Sequence, residues 1–119
     1  MISYDGRVFQ RAGGDGALAC YRQTGDVVWA EVTGGPVLRG ALAGTCSADG
    51  TLNLAYALVL TTGEVVSGYT VNLPDVESDG RLVLREEWQR YGQHPASGVS
   101  YLEEVRDPLQ VPTARVEQQ

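Results

Sequence analysis

Leu52, Leu54, Tyr56, Leu58 and Leu60 alternate with Asn53, Ala55, Ala57 and Val59. Side chains of a strand point to opposite faces in turn, so this period of two predicts a strand with one strongly apolar face. The same rhythm recurs elsewhere. Leu82, Leu84, Glu86 and Trp88 oppose Val83, Arg85, Glu87 and Gln89, while Val28, Ala30 and Val32 oppose Val27, Trp29 and Glu31. In the fourth segment Leu38, Gly40, Leu42 and Gly44 alternate with Val37, Arg39, Ala41 and Ala43, and small inward residues suit converging barrel walls. In the sixth, Val65, Ser67, Tyr69, Val71 and Leu73 oppose Val66, Gly68, Thr70 and Asn72, and the pattern leaves the inward set open. Residues 81–90 are rich in helix formers. The preceding Asp79-Gly80 turn and the alternation favour a strand there.

Turn signals recur about every 12 residues, as in all-β chains. They include Gly13-Gly14-Asp15-Gly16, Thr24-Gly25-Asp26, Gly34-Gly35-Pro36, Ala48-Asp49-Gly50, Thr62-Gly63-Glu64 and Ser78-Asp79-Gly80, with a longer loop at 92–98. Between them lie segments near 6–12, 17–23, 27–33, 37–47, 51–61, 65–73, 81–91 and 98–106. Short sequential strands with tight links describe an up-and-down meander. Closing it removes exposed edges, and eight strands leave an interior that side chains fill or that holds one small ligand. An open sandwich is the other arrangement this pattern permits. From Asp107 onward two prolines and no periodicity predict a tail, flexible or strapped on the surface. The expected organisation is therefore one β-barrel domain, 1–106, and a tail, 107–119.

Composition changes this picture little. The chain has 119 residues, a net charge of −6 and 43% hydrophobic residues, as expected for one acidic globular domain. Acidity without clustered Lys and Arg argues against nucleic acid or an anionic membrane. No apolar run approaches the roughly 20 residues of a membrane helix. The N-terminus has no basic-then-apolar signal, so the expected location is cytoplasmic. Cys20 and Cys46 read as reduced structural cysteines. One histidine, His94, supports neither a histidine metal site nor a Ser/His/Asp triad. The run Asp75, Glu77, Asp79 lacks the glycine and the later Glu of a calcium loop, so no metal and no cofactor are expected. Glu103 and Glu104 are adjacent on a strand and point apart.

Glu86 is the sharpest chemical candidate, a lone carboxylate on an apolar stripe. Inside a barrel its pKa would rise towards that of a general acid or base. Pairing with Arg90 or Arg22, or a flipped and solvated strand, are the alternatives. Tyr21, Tyr56, Tyr69, Trp88 and Tyr101 could line a pocket with hydroxyl donors or fill the core, and Gln23 and Ser100 could orient a ligand.

Several stretches carry a family likeness: Ile2-Ser3-Tyr4-Asp5-Gly6-Arg7-Val8-Phe9, Tyr21-x-Gln23-x-Gly25, Ala30-Glu31-Val32-x-Gly34-Gly35, Gly40-x-Leu42-x-Gly44, Asp79-Gly80-Arg81-Leu82-x-Leu84-x-Glu86-Glu87-Trp88-Gln89 and Ser97-Gly98-x-Ser100-x-x-Glu103-Glu104. Across residues 2 to 105 the chain resembles a family of small bacterial β-barrel proteins often labelled N-acetylglutamate synthase. It departs from that family at Arg90-Tyr91, where a second tryptophan is usual, and at Ala57, where a histidine is common. The label implies acetyl-CoA chemistry. Arg11-Ala12-Gly13-Gly14-Asp15-Gly16 matches the string of a pyrophosphate loop, but such a loop opens a helix. Only eight residues separate it from the next turn, and Asp15 would oppose phosphate, so the string reads as a hairpin turn.

The fold expected is thus all-β, an eight-stranded antiparallel up-and-down meander barrel of calycin or avidin type. The function expected is binding of a small, partly apolar ligand in the lumen, as lipocalin-like barrels do, with a cofactor-free isomerase or cyclase using Glu86 as its catalytic variant. The competing expectation is a structural or protein-interaction barrel with a filled interior. If Val28, Ala30 and Val32 fill the lumen, Trp29 stands outside among alanines and valines of neighbouring strands. That apolar surface predicts a homodimer.

Overall fold

A computed structural model describes residues 2–105; the tail expected at 107–119 lies outside them. Eight antiparallel strands close into a barrel in chain order. They are β1 (Val8–Arg11), β2 (Leu18–Thr24), β3 (Val27–Gly34), β4 (Val37–Cys46), β5 (Leu52–Leu60), β6 (Val65–Val76), β7 (Leu82–Arg90) and β8 (Ala96–Glu104). β1 closes the ring by pairing with β8 at Phe9–Glu104, Gln10–Glu103 and Arg11–Leu102. No helix occurs among the described residues, and 81–90, including its Leu82–Arg90 strand, is extended.

The inward face follows the alternation. Val28, Ala30 and Val32 are buried on β3 while Trp29 is 39% exposed. Leu52 and Leu54 on β5, and Leu82 and Leu84 on β7, are almost wholly buried. On β4 the reading needs one correction. The register shifts between Val37 and Arg39, so Val37 turns inward and Leu38 is left 58% exposed. A bulge inserts one unpaired residue and switches the face of what precedes it.

Burial is graded along the barrel axis. On β5 it falls from Leu52 and Leu54 to half-buried Tyr56, Leu58 and Leu60, and on β7 from Leu82 and Leu84 to half-buried Glu86, Trp88 and Arg90. One end is therefore plugged and the other open. The plug is aromatic. Tyr4, Phe9 and Tyr21 are buried with ring centroids 5.2–6.3 Å apart, a spacing that favours edge-to-face contact. The segment before β1 crosses this end. Gly6 donates its N–H to the Tyr21 carbonyl, and the Tyr4 hydroxyl donates to the Gly50 carbonyl at 2.6 Å. The closing seam is held by buried Glu104, which accepts from the Leu82 N–H at 3.0 Å and pairs with Arg7 at 2.7 Å.

Candidate functional site

The open half of the lumen is a cavity of about 310 Å³. Its wall is mostly apolar, with Leu42, Leu58, Leu60, Val66 and Leu102 among its members. Two aromatic side chains, Tyr56 and Trp88, join them, and Phe9 and Tyr21 of the plug form the floor. The polar members are few. Thr70 and Glu86 lie on inward positions, and Arg11, Asp15 and Arg90 also line the space.

Two glycines let the aromatics lie flat. Trp88 pairs with Gly98 on β8, and a Cβ there would stand 2.7 Å from the indole ring. Tyr56 pairs with Gly68 on β6, crosses over it and donates its hydroxyl to the Gln89 carbonyl at 2.9 Å. A side chain at either glycine would occupy the space of the ring, as is usual where a strand glycine admits a close neighbour.

Glu86 faces the cavity as the stripe predicts. Burial holds its carboxyl above the ordinary glutamate range, and the Arg11 charge opposes this only in part. Neither expected ion pair forms. Arg22 points outward to Asp5 at 3.1 Å, and Arg90 makes no ion pair with Glu86 among the described residues. Opposite Glu86 stand Asn72 on β6 and Ser100 on β8. Asn72 is fully buried; its Nδ2 donates to Thr70 Oγ1 at 2.9 Å and its Oδ1 has no donor. Tyr21, at the floor, senses the Glu86 charge, and burial pushes its phenol well above the usual range.

The expected lining set thus divides. Tyr21, Tyr56, Glu86 and Trp88 come together in the cavity. Tyr69 and Tyr101 do not, because both stand on the outer surface. Tyr69 donates to Asn53 Oδ1 at 3.1 Å, and Tyr101 is paired with outward Arg85. Gln23 is also misplaced. It lies at the plugged end, where its Oε1 accepts the Tyr4 N–H at 2.8 Å and its amide donates to the Gly25 carbonyl. Thr70 and Arg11 line the cavity, and fully buried Asn72 lies beside Glu86 without lining it; the pattern singled out none of the three. Their signal was the Thr70-x-Asn72 pair on the polar face of the sixth segment. The string at Arg11–Gly16 leads into β2, and Asp15 caps it by accepting the Ala17 N–H at 3.0 Å.

A pH prediction follows from Glu86. A carboxyl whose pKa is higher folded than unfolded costs nothing while protonated in both states, and stability falls as pH rises through the folded value. Arg11, Arg90, Asp15, Tyr21 and Tyr56 share the cavity, and Arg11 is the cation that offsets this cost. Glu86→Gln should therefore match the parent at low pH, where the carboxyl is protonated in both states, and be more stable than the parent near pH 7. Urea melts at both pH values check this. A variant weaker at pH 7 would show that the carboxylate is stabilised by a partner.

A family model described as avidin-like protein matches residues 2–105. Neither the curated proteins nor the solved structures yield a match. The closed eight-stranded barrel agrees with that family on fold. With every described residue inside the match, the chain belongs to the avidin-like protein family.

Proposed function

We propose that the protein binds a small, partly apolar molecule in the open half of its lumen. The observation that carries this is the change from fully buried to half-buried along β5 and β7, which leaves about 310 Å³ lined by aliphatic and aromatic side chains with a few convergent polar groups. That is the make-up of a small-molecule site, whereas a filled structural barrel would bury the whole stripe. Small-ligand binding is also a feature of the avidin-like family.

The test uses Trp88 as reporter. The chain has two tryptophans, so Trp29→Phe leaves only the one in the lumen. The neutral probe N-phenylnaphthylamine should bind at micromolar concentration and change Trp88 emission. Ala19→Trp, which fills the cavity from β2, should abolish this. Biotin, a ligand of the family, is titrated in parallel. Probe binding that survives Ala19→Trp would place the site outside the lumen. No binding of any probe would favour the structural barrel.

We further propose self-association through the outer face of β3–β6. Trp29, Ala43, Ala55 and Tyr69 form one cross-strand row there, and Glu31, Ala41, Ala57 and Ser67 the next. Val59 and Val65 continue it, with Val65 69% exposed. Ala41 and Ala57, with Val59, Val65, Glu31 and Arg39, line a shallow hollow of about 280 Å³ that the ring of a two-fold-related Trp29 can enter. Exposed apolar faces of this kind usually mark interfaces, and tryptophan is favoured at them. Light scattering at micromolar concentration should give twice the 12.8 kDa of one chain, and Trp29→Glu should return it to that mass with the fold intact by circular dichroism. A parent already at 12.8 kDa would remove the interface.

A further inference from the structure

Two acceptors occupy neighbouring inward positions, and neither has a donor among the described residues. Asn72 and Glu86 are register partners on β6 and β7, both on the inward face. Asn72 Oδ1 is buried and lacks a donor. Among the described residues the Glu86 carboxylate makes neither a hydrogen bond nor an ion pair, while four other ion pairs form on the outside and at the seam. Buried polar atoms are almost always hydrogen-bonded, so an orphan next to Glu86, which does line the cavity, calls for an explanation.

We propose that the ligand carries a protonated amine, and that this head group docks between Glu86 and Asn72 at the inner end of the cavity. The inference rests on the lumen-binding reading above. An ammonium brings only donors and a positive charge, which suits a carboxylate and an amide oxygen that stand opposite one another. Trp88 is two residues from Glu86 on the same inward face, and Tyr56 shares the wall; both rings can attract a cation that lies over them. A carboxylate head would meet the Glu86 charge and a second acceptor, and so finds no donor at that point. A hydroxyl head has one donor for two acceptors.

The opposite charge lies further out. Arg90 is four residues along β7 from Glu86, about 13 Å at a strand's rise. Arg11, whose charge also acts on Glu86, and Asp15 line the cavity as well. The outer end of the ligand therefore meets the Arg90 guanidinium, and is neutral or anionic. The apolar wall between the two ends takes an aliphatic or aromatic body.

The experiment compares three probes of one shape: phenylbutylamine, phenylbutanol and phenylbutyrate. Each is titrated into the Trp29→Phe protein, read by Trp88 emission and by the Asn72 side-chain amide signal in NMR. The amine should bind about tenfold tighter than the alcohol, the scale of one charge-assisted hydrogen bond, and the carboxylate more weakly than both. The amine alone should shift the Asn72 amide signal strongly. Glu86→Gln should remove the preference for the amine over the alcohol. Equal binding of amine and alcohol, tightest binding of the carboxylate, or an amine preference that survives Glu86→Gln would overturn the proposal while lumen binding stands. If none of the three binds, the amine proposal falls, and N-phenylnaphthylamine binding decides whether the lumen reading stands. Should Glu86→Gln not fold, the rank order in the parent and the Asn72 signal decide the matter.

Discussion

Leu54→Ala is expected to cost roughly 2–5 kcal/mol in stability, and Asn53→Ala, next to it, less than about 0.5 kcal/mol. Leu54 is fully buried in the cluster that includes Leu52, Leu84 and Tyr21. Removing its side chain leaves a hole where the barrel has least freedom to close it. Gly44 on β4 already lies so near that a Cβ on it would stand 2.8 Å from the Leu54 Cα, so the strands cannot approach further. Asn53 points outward and makes an exposed contact with the Tyr69 hydroxyl. Urea melts of the two variants measure the difference. Equal costs, or the reverse order, would mean that β5 has slipped by one residue, because a one-residue slip exchanges the faces completely.

What the sequence made legible was parity, and what it hid was depth and polarity. Leu52 to Leu60 and Leu82 to Trp88 revealed their inward faces because those faces are the more apolar. On β6 the relation is inverted. The inward residues are Val66, Gly68, Thr70 and Asn72, while the outer face carries Val65, Tyr69, Val71 and Leu73. β8 repeats this, with small Gly98 and Ser100 inward and Val99 and Tyr101 outward. A lumen that keeps space and polar groups on some walls breaks the rule that the apolar face is the inner one, so aromatic character alone does not reveal that Tyr69 and Tyr101 face outward. Gln23 had the right parity but the wrong depth. Which end is plugged depends on where the N-terminal segment crosses, and that crossing, through Tyr4, is a tertiary contact with no period of its own. Arg11 was hidden because its string reads as a turn, though its side chain reaches the cavity wall.

Gly68→Ala inverts an ordinary expectation. Alanine in the middle of a strand is usually favoured over glycine by about 0.5–1 kcal/mol. Here the substitution should destabilise instead, by roughly 2–4 kcal/mol, at or above the upper end of the usual cost of overpacking a core. Gly68 is buried and its φ is not in the left-handed region, so backbone strain is not the cause. The cause is space. A Cβ at this position would collide with the Gln89 carbonyl oxygen on β7 and would stand 2.5 Å from the Tyr56 hydroxyl oxygen. The carbonyl belongs to a ladder strand and cannot rotate away, so β6 and β7 must part locally. Tyr56 would then lose its bond to that same carbonyl and swing into the cavity. Two readouts follow from one methyl group: a lower urea midpoint, and weaker binding of N-phenylnaphthylamine as the displaced ring takes up lumen volume. Ser67→Ala, one residue away on the exposed face, should change neither. A Gly68→Ala protein as stable as the parent, with probe binding intact, would show that Tyr56 does not lie across β6 and that the wall at this level is built differently.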